Sequence, residues 1–376
     1  MVLYRMKWAR WVGIVSCMIP TSLAFPSQLP IRVLYEAGAS ITESTSASLD
    51  TAMSDIERAQ ADLGIPVTSL IPIEILITTR PVQIHGSPFD GAFFENKGQI
   101  RLYSKGSDLG GTLFHELMHW IHFSRHGVRM PQPSWLNEGI PFLAALVYTR
   151  ALGRLTSSES RVLSQNLSGG LLLDGFSPSE FGMLGLFIRY VCAHLSDPRA
   201  LLRSWFELSL DDFDRTPDWR RLVGFEAQQF VGEVPWSLVP QGIKTFENIF
   251  SYFALALNLD ARGLDPWNLY SLELPRERLR VGISRVTHLG PDPCLELRPF
   301  DFVTLDAQAI AGAGGAFQIM VSNSNLPPRA IYLPIVGKPI VLQPRDQSPI
   351  VRPGDRLVLI STGLEAASFC VGDHKN

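Results

Sequence analysis

Two periods govern the apolar positions along the chain, and the change between them separates a mixed and helical part from a strand-rich one. Residues 43–63 (ESTSASLDTAMSDIERAQADL) carry a helical spacing that closes at Gly64, and 71–79 (IPIEILITT) form a β-rich apolar run that reads as a buried strand. Residues 99–104 (QIRLYS) alternate as a strand after a turn region between Gly91 and Gly98. From Asp108 to His126 the helical period returns, with Gly127 placed to end it. A second helix is predicted over about 133–152, and further helices at 179–195, 198–209 and 245–258. Beyond Pro266, short β-rich runs interleaved with Pro and Gly, at 279–286, 294–304, 317–322, 330–336, 339–343, 355–362 and 367–371, predict a β-sandwich. The fold class is therefore α+β: a small mixed sheet with a helix against it, then helices, then strands.

The first residues are read apart from the fold. Arg5, Lys7 and Arg10 precede an apolar stretch over 11–23 that ends in Ser22-Leu23-Ala24, the pattern of a signal peptide cleaved after Ala24. Export follows from it, to the periplasm or the exterior. Because Ile14-Val15-Ser16-Cys17 loosely resembles a lipobox, anchoring through Cys17 is the alternative. No later run is long and apolar enough for an integral membrane segment in the mature chain. The organisation predicted is a signal peptide at 1–24, a first domain at 25–270 whose α/β part runs to about 130 with helices after it, and a β-sandwich-like domain at 271–376.

Composition narrows the function classes. With 46% hydrophobic and 18% charged residues, the 376-residue chain is ordinary for a globular protein, which excludes a collagen-like repeat, a long coiled coil and a disordered chain. Loss of the three cations of the leader takes the formal charge from −3 to −6, so no basic excess exists to neutralise phosphates and nucleic acid is excluded as a partner. The mature cysteines are Cys192, Cys294 and Cys370, an odd count that predicts one bridge and one buried thiol in an oxidising compartment. Cys294 and Cys370 are the expected pair, since both lie among the predicted strands while Cys192 lies in a helical apolar run.

The chemistry concentrates in His115-Glu116-Leu117-Met118-His119. Residues four apart on a helix project from one face, so two imidazoles can share one metal ion. Glu116 follows the first histidine and would point to the open metal position, where a carboxylate can act as general base. Glu138, within Trp135-Leu136-Asn137-Glu138-Gly139 at the head of the next apolar helix, is the candidate third ligand. Two imidazoles and a carboxylate leave a fourth position open, the geometry of catalytic zinc. His122 and His126 continue the histidine stripe but lie too far along the helix for the same ion, and are read as outer or solvent-facing groups.

The pentapeptide with its downstream N-E-G glutamate resembles the gluzincin zinc metallopeptidases, the clan of thermolysin and the alanyl aminopeptidases, and within it the peptidase-MA-like bacterial secreted proteins. The resemblance implies a zincin-like metallopeptidase domain, one zinc ion held by His115, His119 and Glu138, Glu116 as catalytic base, and hydrolysis of a peptide or protein substrate. The metzincin pattern fails, because it needs Gly at 122 and His at 125 where this chain has His122 and Arg125. Residues 91–98 (GAFFENKG) resemble the amine-binding segment of aminopeptidases only weakly, with Glu95 close to the motif, and read instead as a turn leading into an edge strand where a peptide could add. Two departures are visible. Phe181 stands where the clan places an oxyanion-binding Tyr, so that another group such as His194 or Tyr148 substitutes or the enzyme is slow, and Phe142 stands where thermolysin-like members have an acid that orients a zinc histidine, a task then expected of a backbone carbonyl or a distant carboxylate. A catalytically silent zinc-binding or surface-recognition protein that keeps the fold is the alternative reading.

Overall fold

The computed structural model describes residues 29–84, 86–127, 134–149, 158–159, 169–171, 178–195, 197–216, 218, 220, 222, 246–260, 294–311, 315–322, 329–334, 339–343, 345–363 and 365–373. The signal segment at 1–24 with Cys17, the boundary at 270–271 and the strand expected at 279–286 lie outside these residues. The described protein is α+β.

Its first layer is a four-stranded mixed sheet. Strands β1 (Ile31–Tyr35), β2 (Ile73–Thr78) and β6 (Gln99–Tyr103) run parallel, and β5 (Gly91–Phe94) closes the edge antiparallel to β6, in the order β1-β2-β6-β5. A small hairpin of β3 (Val82–Ile84) and β4 (Ser87–Phe89) precedes β5. Alternate residues of β2, namely Ile73, Ile75 and Ile77, are at most 2% exposed and face the helices, so the β-rich run is a strand covered on one side. β1 lies ahead of the first element that the pattern predicts.

Two helices cover that face. α1 (Glu43–Asp62) starts at Thr42, whose hydroxyl accepts from the Thr45 N–H, and buries Leu49, Met53 and Ile56. α2 (Leu109–His126) is capped by Asp108, which accepts from the Gly111 N–H at 2.9 Å, and ends at Gly127 with φ 73°. Trp120 donates from Nε1 to the Ile71 carbonyl at 2.8 Å, fixing α2 against the loop that enters β2. Gly110 is where α1 crosses α2: a Cβ there would stand 2.9 Å from the Ser48 carbonyl oxygen and closer still to its hydroxyl. Gly110→Ala is therefore expected to force the helices apart at a cost of about 1–3 kcal/mol, read as a fall in melting temperature.

α3 (Ser134–Tyr148) crosses α2, followed by α4 (Pro178–His194), α5 (Pro198–Phe206), the short α6 (Leu210–Arg215) and α7 (Phe246–Asp260). The expected helix at 133–152 is described only to residue 149. Trp135, with no exposed surface, anchors α3 among Phe187, Trp205 and Phe246, with ring centroids 6.2, 5.6 and 5.3 Å away. Such rings dominate packing energy through buried area and edge contacts.

The strand-rich region forms two antiparallel sheets, as the pattern predicts. One has the order β10-β14-β8, from β8 (Cys294–Leu297), β10 (Phe317–Ser322) and β14 (Ala367–Asp373). The other has the order β12-β11-β13-β9-β7, from β7 (Gly169–Gly170), β9 (Asp301–Asp306), β11 (Arg329–Leu333), β12 (Ile340–Leu342) and β13 (Arg356–Ile360). Within the five-stranded sheet, β13 is buried on both faces. Val358 and Ile360 join the helical core, with Phe300 and Phe302 against Phe246 and Phe250, while Leu357 and Leu359 join a second core shared with the three-stranded sheet. Five consecutive buried residues in β13 are what a two-sided strand requires. Cys294 and Cys370 oppose one another in register and are bridged. Cys192 is a free thiol, and burial pushes it up to about 11.

Among the described residues, no helix is long and apolar enough to cross a membrane.

Candidate metal centre

His115 and His119 occupy successive turns of α2 and project from one face. α3 delivers Glu138 to the same point, its rotation set by Trp135 three residues earlier in the aromatic cluster. Glu138 Oε2 lies 3.0 Å from His115 Nε2 and 3.2 Å from His119 Nε2, and the two nitrogens are 3.2 Å apart. Among the described residues this is the one group of three or more His, Cys, Asp or Glu side chains close enough to share an ion. The pattern thus brings its three candidate ligands together.

Protons alone serve this triangle poorly. If both Nε2 atoms carry hydrogens directed at Glu138, two donors face each other at 3.2 Å; if one does not, its lone pair confronts the carboxylate. A cation at the centre satisfies all three atoms. The tetrahedral fit is good, since metal bonds of 2.0–2.1 Å to nitrogen and oxygen imply ligand separations of about 3.3 Å, close to the observed edges. The donor set of two imidazoles and one carboxylate suits zinc chemically and leaves a fourth position.

Burial is uneven around the triangle. The His119 and Glu138 side chains are 6% and 8% exposed, and His115 is 18% exposed, so the site opens on the His115 side. Burial pushes the Glu138 carboxyl up, but the charge of His119 and hydrogen bonds from both imidazoles outweigh it and hold the group well below the usual carboxylate range. At His115, burial pushes the imidazole down, while the Glu138 hydrogen bond and the charges of Glu116 and Glu138 leave it raised. Glu116 itself is 9% exposed on α2. Asn137 directs its Nδ2 to Glu138 Oε1 at 3.4 Å, on the side away from the histidines.

Other residues singled out in the sequence fall elsewhere. Phe181 meets Phe89 of β4 edge to face at 5.9 Å, an apolar contact where a hydroxyl was expected. Tyr148 is buried, its hydroxyl engaged by Asp62; burial and that carboxylate push it up to about 12. His194 is also buried, its ring 4.6 Å from that of Tyr190. Glu95 opens a short 3-10 turn after β5; the edge strand is β5 itself, Gly91–Phe94, rather than the strand expected after the turn, because β6 pairs with β2 on one side and β5 on the other. β5 lies against α2 at Gly91, where a Cβ would clash with the Thr112 methyl and stand 2.9 Å from Leu102.

His122 is neither a ligand nor solvent-facing. Its ring is 5% exposed, tilts against His126 at 4.6 Å and meets Phe206 edge-on at 5.2 Å, and its Nε2 has no hydrogen-bond partner. Burial, helped by the charges of His126 and His119, pushes its pKa down to about 3 from 6.5. The unfolded chain therefore binds a proton here that the folded one refuses between pH 6.5 and about 3. In that window stability falls as pH falls, with a slope approaching about 1.4 kcal/mol per pH unit from this residue. Urea unfolding from pH 7 to pH 4 is expected to lose that component in His122→Phe.

In comparisons with known proteins, no family model and no curated sequence matches the chain. What can be said of the site thus rests on its own geometry: an α+β protein with a His2Glu cluster able to hold a metal ion.

Proposed function

We propose that the protein is an exported, single-zinc peptidase of the gluzincin type, with His115, His119 and Glu138 as ligands and Glu116 as general base. The observation that carries this reading is the convergence of Nε2, Nε2 and Oε2 within 3.2 Å, open on one side, with a carboxylate one residue after the first ligand. Zinc bound there would polarise a scissile carbonyl and make a water easier to deprotonate. Glu116 takes the proton from the attacking water and delivers it to the leaving amine, which requires an ionised carboxylate on the open side. Glu138 and the buried His119 hold their places without solvent competition, while His115 borders the mouth. An extended peptide substrate pairs along β5, the sheet edge beside α2, by strand addition.

The contact of Phe181 with Phe89 favours one second reading, a silent zinc-binding protein, because it removes the hydroxyl expected to bind the oxyanion. Both readings are tested by incubating the zinc-loaded mature protein with a diverse peptide library and reading products by mass spectrometry, with a chelated control. Cuts that vanish on chelation support the peptidase. A zinc-replete protein that cuts nothing supports the silent reading, and a protein that takes up no zinc overturns both. Cuts confined to free N-termini would return Glu95 to an amine-binding role.

A further inference from the structure

Phe142 lies one turn beyond Glu138 on α3, half-buried, and its ring meets the His115 imidazole edge to face, with centroids 5.2 Å apart and planes at 74°. His115 makes its hydrogen bonds through Nε2, to Glu138 and His119; among the described residues its Nδ1 has no hydrogen-bonding partner. Imidazoles that hold metals ordinarily give their second nitrogen to a carboxylate, a carbonyl or water, which fixes the ring plane and strengthens the ligand. Here an apolar ring stands against His115. We propose that Phe142 is the positioning residue for His115: its ring sets the imidazole plane by edge-to-face packing in place of an acid, and no described residue gives the second ring nitrogen an acceptor to increase its basicity. This rests on the metallopeptidase reading.

The backbone of α3 is already altered at this turn. Pro141, inside the helix and buried, has no N–H to give the Asn137 carbonyl, so the backbone beside Glu138 and Phe142 lacks one helical hydrogen bond. Packing, rather than the hydrogen-bond ladder alone, then decides where Phe142 points.

The test uses the full mature chain. Zinc affinity is measured by competition with a chromogenic chelator, and ligand geometry by the visible spectrum of the cobalt-loaded protein, for wild type, Phe142→Leu and Phe142→Tyr. Leu keeps the bulk and loses the ring, and is expected to weaken zinc binding by about 10-fold or more and to move the cobalt bands. Tyr keeps the ring and is expected to restore both. Zinc affinity within about twofold of wild type in Phe142→Leu, with unchanged cobalt bands, would overturn the inference alone. A wild type that binds neither metal would overturn the reading beneath it. Independent of any variant, the His115 Nδ1 proton of the zinc protein is expected to exchange rapidly with water. A slowly exchanging, strongly downfield proton would reveal an acid acceptor and overturn the inference.

Discussion

Glu116→Gln is expected to leave zinc uptake and melting temperature close to wild type while lowering peptide cleavage by about 10²–10⁴-fold, the usual contribution of a positioned general base. The two side chains have the same shape, so α2 keeps its packing around Leu113, Leu117 and Trp120. What changes is charge and proton affinity: an amide cannot accept a proton from water at neutral pH. Glu116 is not among the side chains that converge at the triangle of His115, His119 and Glu138, so the ligand set survives the change. Kinetics on one peptide substrate, paired with zinc stoichiometry on the same samples, separate the two effects. Loss of activity with equal zinc content identifies the base. Activity that persists at full zinc occupancy would assign proton transfer elsewhere, and loss of zinc with loss of activity would make Glu116 part of the ligand set.

The parts of this protein that were legible in sequence are those fixed by short-range spacing. A spacing of four from His115 to His119, a cap at Asp108 and a glycine at 127 determine a helix with both imidazoles on one face, and nothing distant is needed to read it. Glu138 was legible only conditionally, since its approach to α2 depends on how α3 crosses, and that is set by Trp135 in a cluster assembled from residues 187, 205 and 246. The same crossing brings Phe142 onto His115, so its identity was visible but its contact was not. In the strand-rich part, 294–304 read as one run because apolar residues continue through it. The chain instead turns at Phe300, with φ 51°, after Pro299, and yields β8 and β9 in different sheets. Nor could alternation tell which face of β13 meets the helices, because both sets of alternate residues are apolar. Short strand β1 escaped for the opposite reason: five half-exposed residues carry too weak a pattern to separate from a leader.

Zinc is expected to raise the melting temperature of the wild type and to do nothing for Glu138→Gln. A ligand that binds only the folded state stabilises it by RT ln(1 + [L]/Kd), about 4 kcal/mol at a thousandfold excess over Kd, and for a chain of this size that is a shift of several degrees. The variant replaces an ionised oxygen shared by two imidazoles with a neutral amide, which keeps the volume in a buried site and removes the charge that draws the cation. It also takes from the metal-free protein the imidazole interactions that outweigh the burial of this carboxylate, so its melting temperature without metal is expected to fall. The difference between metal-loaded and chelated samples is therefore the informative quantity, and it is expected to collapse in the variant whatever the baseline does. Calorimetric scans of both proteins, with zinc and with chelator, give that difference directly. A zinc-induced shift of equal size in Glu138→Gln would remove Glu138 from the ligand set and leave His115 and His119 as the pair that binds.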